Sequence, residues 1–162
     1  IFLSREQPFM AKHNLRTSSY HSIINLATQC VCIKDKFIDF TCKIANGTMT
    51  ANGYLQPQFT SPRYLVKVVY KLKDIPRVWV VSPTLHRKAV HLYADKHLCL
   101  YWPKEWIWRS DQLIANTIIP WTGSWLFFYE LWLDTGKWLG PSSHDFYPQR
   151  KQHANESNHQ TP

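Results

Sequence analysis

"RYLVKVVYKLKDIPRVWVVSP", residues 63–83, holds two runs of β-branched and aromatic side chains, RYLVKVVYKL and RVWVVSP, parted by Asp74, Ile75 and Pro76. Such runs suit half-buried strands, and the short polar break with its proline suits a reversal between them. The pair predicts two neighbouring strands of an antiparallel meander. Arg63, Lys67, Lys71, Lys73 and Arg77 interleave with the apolar residues. That pattern fits the solvated face of an amphipathic strand pair, since a nucleic-acid groove would add glycines and exposed aromatics.

Toward the N-terminus the strand pattern continues. "FIDFTCKIANG" (37–47) alternates Phe40, Cys42 and Ile44 with Asp39, Thr41 and Lys43, and ends on the turn pair Asn46-Gly47. The first set is the expected core face. "GTMTANGYLQP" (47–57) carries another Asn-Gly pair at 52 and 53, which reads as a second turn. Before these strands, "SSYHSIINLATQCVCI" (18–33) spaces Tyr20, Ile23, Ile24, Ala27 and Val31 as an amphipathic helix. Cys30 and Cys32 lie on different faces of that helix and are not expected to pair.

Toward the C-terminus regular patterning stops after Pro83, an irregular segment follows, and Ser110 and Asp111 then offer an N-cap. "DQLIANTII" predicts one helix and the stretch from Trp121 to Asp134 a second, with Gly136 as its stop. "WLFFYELWL" is apolar almost all round, so most of it must be buried in the domain or against a partner. Residues 112–129 include no charged side chain, yet a membrane span is rejected. Gln112, Asn116, Thr117, Thr122 and Ser124 would be costly in lipid, and Pro120 divides the run.

A chain of 162 residues, 44% apolar and 15% aromatic, is long enough for one domain with a real core. The expected domain spans residues 16–147. Residues 1–15 read as an N-terminal extension with Met10 as a candidate natural start, and residues 148–162 as a flexible tail. The net charge of +8 favours acidic partners without naming one. No signal peptide is apparent, and Cys30, Cys32, Cys42 and Cys99 form no CxxC pair, zinc spacing or disulfide framework. Reduced thiols in the cytoplasm are the expectation. His144, His153 and His159 are scattered, so no metal and no other cofactor is expected.

The chemistry-bearing stretch is "HLYADKHLCLYWPKEW" (91–106), in which His91 stands eight residues before Cys99. From the residues alone Cys99 is either a small hydrophobe or a nucleophile. Tyr101, Trp102, Trp106 and Trp108 are expected to pack beneath the segment. His97 would share a face with Cys99 if the chain is extended there.

The order of elements, a helix, four strands, an irregular segment with a cysteine and then helices, resembles the ubiquitin-conjugating enzyme family over about residues 20 to 120. In that family a strand ending in proline leads to His-Pro-Asn. The nucleophilic cysteine follows eight residues after the Asn, flanked by hydrophobic residues, with a Trp soon after. Here "IPRVWVVSP", "LCL" and Trp106 or Trp108 match, and His91 takes the place of the Asn; His-Pro-Asn itself is missing.

"YLVKVVY", "IIPWTGSWLFFYELW" and "TGKWLG", together with the Cys99 stretch, are more closely similar to the ubiquitin-conjugating-like proteins of bacterial type II (short) CBASS antiphage operons. The resemblance implies an α+β fold with a four-stranded antiparallel meander, an N-terminal helix and C-terminal helices. It further implies a transferase in which Cys99 forms a thioester with the C-terminus of a cGAS/DncV-like nucleotidyltransferase and passes it to an acceptor. His91 would then be oxyanion donor, general base or brace of the loop; an oxyanion donor is worth roughly 2.7 to 4 kcal/mol in acyl transfer. The rival readings are a non-catalytic module of the same fold that regulates the synthase, a basic nucleic-acid-binding domain, and a Cys-His hydrolase. The last lacks a recognisable third orienting residue.

Overall fold

The computed structural model describes residues 22–141 apart from Pro103 and Glu105. The predicted N-terminal extension, the tail and its histidines therefore lie outside the described residues. Within them the order is α1 (Leu26–Lys36), β1 (Thr41–Ala45), β2 (Thr48–Leu55), β3 (Tyr64–Lys71), β4 (Arg77–Ser82) and α2 (Ile118–Thr135). The strands form one antiparallel sheet in sequential order. This is the expected α+β meander, with one C-terminal helix in place of two.

Strand alternation sets the core. On β3, Tyr64, Val66, Val68 and Tyr70 are buried, and Met49 and Ala51 of β2 and Val78 of β4 lie on the same face. Lys67 points the other way and reaches over the ring of its cross-strand neighbour Trp79, 5.1 Å from the centroid. The lysines of the basic stretch thus occupy the solvated face. Phe40 is buried and Cys42 packs against the core, but Ile44 is 44% exposed. β1 is an edge strand, and its far end runs past the core.

Asn52-Gly53 is not a turn. Both residues lie inside β2, where Gly53 faces the ring of Phe40; a Cβ there would sit 2.1 Å from Phe40 Cδ2. Glycine answers a close approach rather than a reversal. Asn46-Gly47 does make the β1–β2 turn, with both residues at positive φ.

The helix begins at the Asn25 N-cap, whose side chain accepts from the Thr28 amide, and runs on to Lys36. Its buried face is Gln29, Cys30 and Ile33, while Ala27 and Val31, placed by their apolar spacing on the core side, are exposed. A polar residue overrides the hydrophobic pattern. The Gln29 amide donates to the Gln112 carbonyl at 2.7 Å and its oxygen accepts from the Ile114 amide at 3.0 Å, so burying Gln29 satisfies two backbone groups of a distant turn.

Two further expectations fail. Cys30 and Cys42 form a disulfide, with Cα atoms 5.6 Å apart, while Cys32 and Cys99 are free. Sequence spacing could not reveal a contact made by packing α1 against β1. Pro120 does not split the C-terminal run either: residues 111–117 are turns, and Pro120 lies in the first turn of α2, where a missing N–H costs no helical bond. Gly136 closes α2 in the left-handed conformation, as its position suggests.

Core and α2 are continuous. Ile118, Ile119, Trp125, Leu126 and Tyr129 join the sheet residues in one buried cluster. Polar contacts fix the helix in place: Glu130 accepts from Ser61 Oγ at 2.6 Å and Tyr64 Oη at 3.0 Å, and the Tyr129 hydroxyl accepts from the His86 amide at 2.9 Å. No helix of the described residues is long and apolar enough to cross a membrane.

Candidate active site

After β4 the chain runs irregularly until it folds back on itself between residues 91 and 99. The Tyr93 amide donates to the His97 carbonyl at 3.0 Å, Leu92 bridges Leu98, and the Cys99 amide donates to the His91 carbonyl at 2.9 Å. The Lys96 amide donates to the Tyr93 carbonyl, and Lys96 takes a left-handed φ of 68°. A tight turn followed by a left-handed residue is a regular way to close a three-residue hairpin loop. The eight-residue spacing of His91 and Cys99 is thereby converted into a cross-strand pair.

Alternation assigns the faces of this hairpin. Leu98 is buried and Leu92 packs on the core, with the Leu98 amide donating to Val78 O of β4 at 2.8 Å. Tyr93, His97 and Cys99 share the opposite face. Tyr93 and His97 stack with centroids 4.1 Å apart and planes at 10°, and His97 Nδ1 pairs with Asp95 Oδ1 at 2.5 Å. That hydrogen bond holds the Asp95 carboxyl below its ordinary range. The Trp79 indole donates to the Asp95 carbonyl at 3.0 Å, binding the loop tip to β4.

The Cys99 thiol is half-buried and points toward the Tyr101 carbonyl, 3.8 Å away. Tyr93 stands diagonally across the hairpin from Cys99. Burial, then the charge of Cys99 and a side-chain hydrogen bond to it, push the Tyr93 hydroxyl up to about 12. Tyr101 is also raised, by burial first and the charge of Cys99 second. Both phenols therefore stay protonated at neutral pH, and Tyr93 is available as a donor to the sulfur.

His91 is held from behind by the C-terminal part of the chain. The Trp125 indole donates to its carbonyl at 3.2 Å, and the Trp138 ring stacks on its imidazole with centroids 4.5 Å apart. Its φ of 54° is strained for a non-glycine residue. Beneath the segment Tyr101, Trp106 and Trp121 form edge-to-face contacts, with Trp108 reaching Tyr70 of β3. Tyr101, Trp106 and Trp108 thus pack as expected, joined by Trp121 of α2, while the Trp102 ring lies under the Lys104 ammonium, 5.5 Å from its centroid; the packed rings fix the path of the chain on both sides of Cys99.

His97 does share a face with Cys99, but its ring is committed to Asp95 and Tyr93. The resemblance includes Tyr93, Trp125 and Trp138 in its matching stretches but implies no role for any of them. The signal for Tyr93 was the hairpin parity, two residues after His91 and opposite His97. Among the described residues no group of three His, Cys, Asp or Glu side chains could hold a metal ion.

A hairpin that presents a half-buried thiol beside a tyrosine, outside a four-stranded meander, meets its match in one family model. The family is described as Type II CBASS E2 protein, and the match covers residues 29–145.

The chain belongs to the type II CBASS E2 family.

No curated protein sequence matches it. The family match spans the disulfide, the whole sheet, the Cys99 hairpin and α2, so every element that shapes the candidate site lies inside it. The family places the chain in CBASS antiphage systems, and its architecture is consistent with an E2-like fold.

Proposed function

We propose that this CBASS E2 protein is a ubiquitin-conjugating-like transferase whose Cys99 accepts the C-terminus of a cGAS/DncV-like nucleotidyltransferase as a thioester and hands it to an acceptor. The observation that carries the reading is the Cys99 hairpin: a half-buried thiol, registered against His91 by a backbone hydrogen bond and tied to β4 through the Leu98 amide. Acyl exchange needs a thiolate that can both attack and leave, on a chain that does not rearrange during the step. The aromatic floor and the Leu98 anchor supply that rigidity. His91 acts as a brace, because its carbonyl accepts two hydrogen bonds and its ring lies against Trp138.

The test is intact-mass and non-reducing gel analysis of the full chain with the synthase and an activated acyl source. A synthase adduct that thiols cleave is expected, lost in Cys99→Ala and converted into a thiol-resistant oxyester in Cys99→Ser. If no adduct forms under any of these conditions, the protein is a binding module and the transferase reading falls.

A further inference from the structure

The Cys99 hairpin holds a second set of groups that the thioester chemistry above does not use. Asp95, His97 and Tyr93 form a chain of contacts on the face that carries the sulfur: the carboxylate pairs with His97 Nδ1, and the imidazole plane lies flat on the phenol ring. Tyr93 and Cys99 stand diagonally across the hairpin on one face, a separation that an aromatic side chain spans. Tyr93 itself is 41% exposed, so no wall of core residues fixes its ring. The stack on His97 does.

We propose that Tyr93 is the hydrogen-bond donor to the Cys99 sulfur and that Asp95 and His97 are positioning residues that hold it there. Its role in transfer rests on Cys99 being the acyl carrier proposed above; the donor contact does not. In the charging step the Cys99 thiolate adds to the carbonyl carbon of a thioester donor and a new C–S bond forms. The carbonyl electron pair moves to oxygen and returns, expelling the donor sulfur as a thiolate. In the discharge step an acceptor nucleophile adds to the Cys99 thioester, its proton passes to solvent, and Cys99 leaves as a thiolate. Tyr93 keeps its own proton through both steps and hydrogen-bonds the sulfur whenever that sulfur is anionic.

A donor of this kind stabilises the thiolate and eases its departure, at some cost in nucleophilicity. The groups facing Tyr93 are His97, Cys99 and Tyr101. Only His97 among them can gain a positive charge, and its Nδ1 is already engaged by Asp95.

The test needs no partner. The rate of alkylation of Cys99 by iodoacetamide is followed against pH by peptide mass spectrometry, which separates Cys99 from the free Cys32. In Tyr93→Phe the pH of half-maximal rate should rise by about one unit, the loss of one hydrogen bond to an anion. His97→Ala should shift the profile in the same direction by less, and should add nothing in the Tyr93→Phe background. An unchanged profile in a Tyr93→Phe protein with unaltered circular dichroism and melting temperature overturns the donor. A His97→Ala shift that persists undiminished without the Tyr93 hydroxyl overturns the positioning assignment. Failure to form the synthase adduct would sink the carrier reading and leave this measurement standing.

Discussion

At the scale of single residues, the identity of a side chain is decided by what lies against it. Gly53 occupies the middle of a strand, where glycine is ordinarily a weakness relative to alanine. Here the Phe40 ring covers the position, with three of its atoms between 2.1 and 2.5 Å from where a Cβ would stand. Gly53→Ala should therefore destabilise the protein by about 1 to 3 kcal/mol, the usual cost of overpacking. Urea denaturation measures it, and pairing the change with Phe40→Leu should recover part of the loss. Equal stability of Gly53→Ala and the unsubstituted chain would show that the ring moves aside freely. An Asn-Gly pair is a turn signal only where the backbone turns, and nothing local distinguishes 52–53 from 46–47.

Between elements, the junction of α1 with the turn before α2 depends on one buried amide. Gln29 satisfies an acceptor at Gln112 and a donor at Ile114, more than eighty positions along the chain. Gln29→Leu keeps the volume and leaves both backbone groups without that partner. The expected loss is on the order of 2 to 4 kcal/mol, the desolvation cost of two unmet polar groups. Hydrogen exchange should localise the effect to α1 and to residues 112–114; a loss confined to the sheet would contradict the assignment. Helical periodicity pointed to a face built from Ile23, Ala27 and Val31, because hydrophobic patterning counts apolar residues and cannot see a glutamine that bridges two backbone groups. The strands were easier to read. β3 alternates strongly enough to define its buried face, with Lys67 and Lys71 on the other side; the bulge at Leu65/Val66 in its pairing with β4 is not legible in either strand.

For the molecule as a whole, the contact between α2 and the sheet has a signature in pH. Burial, reinforced by the hydrogen bond to Glu130, raises the Tyr64 hydroxyl well above its ordinary 10. Its neutral form is favoured in the folded state, so the stabilisation is fully present below pH 10. Above pH 10 the unfolded chain releases this proton while the folded chain retains it, and stability falls as pH rises. Tyr93, raised to about 12, contributes in the same sense. Denaturation midpoints measured from pH 8 to pH 11 should decline, and Tyr64→Phe should have a shallower decline together with a lower midpoint at pH 8. Parallel curves for the two proteins would remove Tyr64 from the account.

The sequence by itself determined an antiparallel meander and the position of the cysteine-bearing segment after it, though not the bounds of β2, because strand alternation is local while an Asn-Gly pair can serve a close approach as well as a turn. The eight-residue spacing of His91 and Cys99 is also legible, but the hairpin that pairs them is not, since the segment reads as irregular. Only the tertiary structure decided the rest. The Cys30–Cys42 disulfide, the face of α1, the single helix through Pro120, and the seating of His91 against Trp125 and Trp138 all join residues far apart in the chain. Those contacts depend on how elements pack, and packing free energy is a property of paired surfaces that no single stretch of sequence contains.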